Sequence, residues 1–260
     1  MRPGCPVSDV DNGLAAETRA RQPEPYILAA PGRAAAVAGV VTAITVAAFV
    51  AVADRGALAH IQRVDDFWLD VMSGGRMAPL TAVAKVFNVL GLVYVTVPVR
   101  LALAIYLALR RRWWHLAAFA AAIILSEILI GPLKAAYDRA RPPGSLVATT
   151  AASFPSGHAV AASVTGLAAV IALAPPGNRR IGWGLAAGSF ALAMALSRAY
   201  LGAHWLSDAL AGLLLGTSCA LVAASATDLA QRRWWRSHGR VGKESPDSRP
   251  QAASRPAGHE

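Results

Sequence analysis

The chain has 260 residues, 55% of them hydrophobic and 15% charged, with a mean hydropathy of +0.42. Soluble domains carry charge on about a quarter of their residues, and here the apolar residues gather in long blocks, so an ordinary soluble domain is disfavoured. The net charge of +10, from 25 Lys and Arg against 15 Asp and Glu, would suggest nucleic acid in a soluble protein; in a membrane protein it marks cytoplasmic loops and phosphate sites.

Two cysteines, Cys5 and Cys219, offer neither a disulfide framework nor a zinc-ligand spacing. Along the chain, residues 1–33 read as a disordered cytoplasmic leader. Six apolar stretches then approach the roughly 20 residues that a helix needs to cross a hydrocarbon core. They are Ala34 to Ala53, Val86 to Leu109, Leu116 to Leu133, Ser156 to Ala174, Ile181 to Ser197 and Trp205 to Ala226. The first ends in Ala51-Val52-Ala53, which imitates a signal-peptide cleavage site, but its apolar run exceeds the usual signal core of about 7 to 15 residues. It reads as an uncleaved helix.

The fold class expected is therefore an all-α, polytopic membrane bundle of six transmembrane helices. Arg110-Arg111-Arg112, Arg179-Arg180 and Arg232-Arg233 with Arg236 fall on one side of it, which the positive-inside rule makes cytoplasmic, with both termini. Trp113, Trp114, Trp234 and Trp235 flank the same arginines, as an aromatic belt does. In the first outer loop, Val64 to Met72 fits either a short amphipathic helix on the interface or a solvated loop with buried aromatics. Residues 34–226 form the expected domain, and residues 227–260 a basic, largely disordered cytoplasmic tail.

Three polar clusters fall in the outer connections. Lys134 and Arg141 are seven apart, hence on one helical face if the helix persists, and can clamp a phosphate or snorkel to headgroups. Phe154-Pro155-Ser156-Gly157-His158 precedes an apolar run and reads as a helix start, whose unpaired N–H groups and positive dipole end suit an anion. Ser197-Arg198 leads to His204 and Asp208, spaced i and i+4. That pair is either a polar staple between helices or a nucleophile with its orienting carboxylate, which would accept from one ring nitrogen and leave the other to attack. Arg100 and Glu127 lie inside spans. They can pair across antiparallel helices, Glu127 can serve Lys134 instead, or Arg100 can snorkel beside a neutral Glu127.

Together, Lys134-x6-Arg141-Pro142, Pro155-Ser156-Gly157-His158 and Ser197-Arg198-x5-His204-x3-Asp208 resemble the three signature motifs of the type-2 phosphatidate phosphatase superfamily. The resemblance implies that His204 attacks phosphorus to give a phosphohistidine, Asp208 orients it, and His158 protonates the leaving oxygen. Lys134, Arg141, Arg198, Ser156 and the Gly157 amide would hold the non-bridging oxygens. It implies no metal or other cofactor, and Asp138, beside Arg139, reads as that arginine's ion partner rather than as a Mg²⁺ ligand.

The function expected from the resemblance is hydrolysis of a lipid phosphate or diphosphate, such as undecaprenyl diphosphate, phosphatidate, phosphatidylglycerol phosphate or diacylglycerol diphosphate. The alternatives are a lipid phosphotransferase, a vanadium haloperoxidase and a non-catalytic lipid-binding or transport protein. The partners expected are the bilayer and a lipid phosphate, with no nucleic acid; oligomeric state is not legible. The Ala- and Arg-rich bias resembles chains of high-GC bacteria, which places the expected protein in an inner membrane with its site on the extracytoplasmic face.

Overall fold

The computed structural model describes residues 25–238, and every regular element among them is an α-helix. The remaining leader and tail residues, expected to be disordered, lie outside the described residues. Helix α1 (Pro31–Ala53) starts with Pro at its first turn, where a missing N–H costs nothing. It stops at Asp54, which turns extended and caps α2 (Arg55–Gly74) by accepting from the Ala57 N–H at 2.8 Å. Val64 to Met72 is thus helical, within a longer helix than the sequence suggested.

The stretch from Val86 to Leu109 is not one straight span. It is divided between α3 (Ala78–Leu90) and α4 (Val93–Leu109), bent by 53°. Gly91 ends α3 at the corner, and a Cβ there would lie 2.2 Å from His158 Cδ2, so the corner requires glycine for its close approach. Then come α5 (Trp113–Tyr137), α6 (Gly157–Leu173), α7 (Asn178–Tyr200) and α8 (Leu206–His238).

Three helices, α1, α5 and α8, are long and apolar enough to cross a membrane, and α3 with α4 makes a fourth if the bent pair crosses as one. The chain is an integral membrane protein, with a band of exposed apolar side chains along α1, including Val37, Val40, Ile44 and Val50, suited to lipid. At 17 residues, α6 is shorter than the usual span.

Helix α8 is the axis, with α1, α5, α6 and α7 all packed on it. Its approach to α6 depends on Gly212 and Gly216. A Cβ on Gly216 would lie 2.1 Å from Ser163 Oγ, and one on Gly212 would lie 2.5 Å from the Ser156 carbonyl. Small residues four apart let helices meet where lipid offers no hydrophobic drive. Between α1 and α8, the buried Ser218 hydroxyl donates to Thr45, whose own proton goes to the Val41 carbonyl. The main core joins Phe49, Phe119, Phe154, Val164 and Leu215.

The basic clusters gather at one end of the bundle. Arg180 donates to the Ile27 carbonyl at 2.7 Å, and Arg232 holds both Asp228 and the Leu28 carbonyl at 2.6 Å. Trp114 and Trp234 meet there with ring centroids 6.3 Å apart. These contacts correct two expectations. Residues 25–33 are not a loose leader, since Ile27 is fully buried and Leu28 nearly so; nor do residues 227–238 belong to a disordered tail, since α8 continues to His238.

Candidate functional site

The three sequence clusters meet at the opposite end, where α5 and α7 finish and α6 and α8 begin. Helix α6 starts at Gly157 with Ser156 as its N-cap. The Ser156 main-chain N–H donates to the Asp208 carbonyl at 3.0 Å, which ties the beginnings of α6 and α8 together. Its hydroxyl caps nothing and is buried without a hydrogen-bond partner among the described residues. A buried hydroxyl left so costs free energy unless a ligand uses it.

His204 precedes α8, in the turn that links it to α7, so the helical i and i+4 geometry expected for His204 and Asp208 does not apply. The ring Nδ1 lies 2.7 Å from the Ser153 carbonyl and 3.8 Å from Asp208 Oδ2. The expectation that the carboxylate takes the ring hydrogen bond is therefore corrected. The main-chain oxygen of Ser153 fixes the proton on Nδ1, and Asp208 acts on the ring through its field. Nε2 is left unprotonated, 3.3 Å from Arg141 Nη1. Burial, opposed by Asp208 and assisted by Arg198 and Arg141, holds the His204 pKa down at about 4.

Asp208 is fully buried and saturated. Its Oδ2 accepts from the Ser153 hydroxyl and from the Trp205 N–H at 3.0 Å, the latter closing half of a capping box at the start of α8. Its Oδ1 accepts from Arg139 Nη1 at 2.6 Å. Arg139 also reaches Ser207, Gln62 and Asp65, the last at 2.8 Å. Asp65, 2% exposed on α2, accepts in addition from the Ser207 N–H at 2.9 Å. The pairing of Arg139 with Asp138 is thus overturned. Asp138 is the left-handed C-cap of α5 (φ 35°), and Arg139 serves two distant carboxylates.

That same cap ends the helix between Lys134 and Arg141, so the two do not share a helical face. They meet across the following loop, where Lys134 Nζ donates to the Ala152 carbonyl at 2.7 Å and Arg141 to the carbonyls of Thr150, Ala151, Ala152 and Ala203. Arg198, 3% exposed near the end of α7, donates through Nη1 to Asn88 Oδ1, and its Nε is buried without a partner among the described residues. His158 Nε2 lies 3.1 Å from the Asn88 carbonyl. Gly157 packs beside Ile130.

The fold therefore brings all eight sequence-named residues to one end and adds five that the motifs do not mark, Asn88, Ser153, Arg139, Asp65 and Ser207. Of these, Arg139 was legible as a charge beside the first motif, though with the wrong partner, and Asp65 as an acid in an amphipathic stretch. Three cations, a helix start, a spare Ser156 hydroxyl and an imidazole with a free nitrogen suit binding and attack on a tetrahedral oxyanion. Arg100 Nη1 pairs with Glu127 Oε1 at 2.7 Å, and Arg100 Nε donates to Thr165, which selects the first of the three readings of these charges. Among the described residues, no three His, Cys, Asp or Glu side chains group so as to hold a metal ion.

Residues 113–232 match the model of the PAP2 superfamily. The fold resembles that of the transmembrane PAP2-type phosphatidylglycerolphosphate phosphatase of Bacillus subtilis, 22% identical, with a TM-score of 0.62 over 72% of this chain and 93% of that one. It also resembles LpxE of Aquifex aeolicus, 22% identical, with a TM-score of 0.50 over 60% of this chain and 91% of that one. No curated protein matches the sequence.

Proposed function

Because residues 113–232 match the model of the PAP2 superfamily, we propose that the chain is a membrane phosphohydrolase that removes phosphate from a lipid phosphate or diphosphate through a phosphohistidine. The observation that carries this reading is His204: its Nδ1 proton rests on the Ser153 carbonyl, and its unprotonated Nε2 faces Arg141 at 3.3 Å, inside a cluster of cations.

In the first step His204 Nε2 attacks phosphorus, the bond from phosphorus to the leaving oxygen breaks, and His158, protonated at both ring nitrogens, gives that oxygen its Nδ1 proton while Nε2 stays bonded to the Asn88 carbonyl. In the second, His158 takes a proton from water, the water oxygen bonds to phosphorus, and the nitrogen–phosphorus bond breaks to release phosphate. Lys134, Arg141 and Arg198, with Ser156 and the Gly157 amide, stabilise the charge on the non-bridging oxygens, the largest contribution a protein makes to phosphoryl transfer. Asp208 offsets the positive charge that His204 acquires.

In this reading the chain crosses the membrane six times, α3 with α4 counting once, and the arginine-rich end with both termini is cytoplasmic. The site then faces the extracytoplasmic side of a bacterial inner membrane. The unit proposed to carry the activity is residues 25–238, because residues 25–33 and the end of α8 pack into the same bundle. Substrates in keeping with the site are phosphatidylglycerol phosphate, phosphatidate and undecaprenyl diphosphate.

The test is phosphate release from a panel of these lipids by the detergent-purified chain, with and without an alcohol acceptor and with EDTA. Free phosphate that is unaffected by EDTA supports the reading. Transfer to the acceptor with no free phosphate would make the chain a phosphotransferase, and no turnover of any lipid phosphate would contradict both.

A further inference from the structure

Burying a guanidinium requires acceptors, and the site's carboxylate cannot supply one to Arg198, because Asp208 is taken by Arg139, Ser153 and the Trp205 N–H. Arg198 also lies within the field of Arg141, a like charge that opposes its placement. Asn88 Oδ1 accepts from Arg198 Nη1 while the main-chain oxygen of the same residue holds His158 Nε2 at 3.1 Å. Asn88 sits in the last turn of α3, three residues before the glycine that lets the α3–α4 corner close on the His158 ring.

Resting on the phosphatase reading, we propose that Asn88 is a positioning residue for the anion site, its side-chain oxygen holding Arg198 and its main-chain oxygen holding His158 before phosphate arrives. An amide suits this task better than a carboxylate. It accepts from the guanidinium without forming an ion pair, so the charge of Arg198 stays available to an incoming oxyanion, and the unpartnered Nε remains free to donate. The bond to the Asn88 carbonyl places the His158 proton on Nε2 and leaves Nδ1 outside that bond.

The experiment measures vanadate binding to the detergent-purified full chain by calorimetry, with melting temperatures alongside. Asn88→Ala should weaken vanadate about tenfold, the effect of losing one placed charge-assisted donor. Asn88→Asp, nearly the same size, should weaken it further at an unchanged melting temperature, because its carboxylate competes with the oxyanion for Arg198. In an Arg198→Ala background, Asn88→Ala should change affinity less than about twofold, since its partner has gone.

Unchanged vanadate affinity in Asn88→Asp, or a full tenfold loss from Asn88→Ala in the Arg198→Ala background, would overturn the assignment. Wild-type protein that binds no vanadate and hydrolyses no lipid phosphate would instead contradict the phosphatase reading.

Discussion

Arg139 donates to Asp208 at 2.6 Å, closer than His204, whose Nδ1 stays 3.8 Å from the same carboxylate. The charge of Asp208 is thus compensated first by an arginine that also holds Asp65 on α2. Removing one partner of a buried ion pair leaves the other uncompensated, at a cost of about 3 kcal/mol or more. Arg139→Met should lower the melting temperature markedly and reduce turnover, whereas an exposed control such as Arg55→Met should change neither. A wild-type melting temperature in Arg139→Met would contradict this.

His204 supplies a pH dependence. Its folded pKa of about 4 lies below the ordinary 6.5, with burial as the main cause. The unfolded ring therefore takes up a proton at a pH where the folded ring does not, so stability falls as pH drops from 6.5 through 4. In protein labelled with ¹⁵N-histidine, the ring signal that is lost in His204→Gln should be one that titrates near pH 4 without phosphate. A His204 ring that titrates at 6.5 or above would refute the buried, neutral nucleophile.

At the α3–α4 corner, Gly91→Ala places a methyl where His158 Cδ2 now lies 2.2 Å away. The ring must move, and displacing a reacting group by about an ångström can cost on the order of a hundredfold. The variant should insert normally and lose most of its turnover, while retention of full turnover would show that the corner does not set His158.

The ion pair of Arg100 with Glu127 is readily tested by exchange. Arg100→Glu and Glu127→Arg should each destabilise the chain, and the double exchange should restore part of the loss, with a coupling near the roughly 1 kcal/mol typical of polar contacts between membrane helices. Additive single effects would argue against a functional pair.

Much of this architecture is legible in the sequence, because the membrane and the phosphate each constrain residue type. Pairing of Arg100 with Glu127 was one of three readings the sequence offered, since charges inside apolar spans need partners, and the structure selects it. The motif residues were readable because oxyanion chemistry favours cations, a helix start and an imidazole, and because their order along the chain resembles that of a known family. What escaped was set by contacts across the bundle. The bend at Gly91 is hidden in an apolar run, since hydropathy does not register the approach of His158 that requires it. Adjacency suggested Asp138 for Arg139, but the left-handed cap at Asp138 turns the chain and sends Arg139 to Asp65 and Asp208. The spacing of His204 and Asp208 suggested a helix turn, yet α8 begins only at Leu206, so the ring meets Ser153 instead.

The central claim is that phosphorus bonds to His204 during turnover. Rapid acid-free quenching of the purified chain with a ³²P-labelled lipid phosphate, followed by peptide mass spectrometry, tests it directly. The account predicts a base-stable, acid-labile phosphoryl group on His204 during turnover that is absent in His204→Ala. Turnover with no label on His204, or phosphate release by His204→Ala at the wild-type rate, would contradict it.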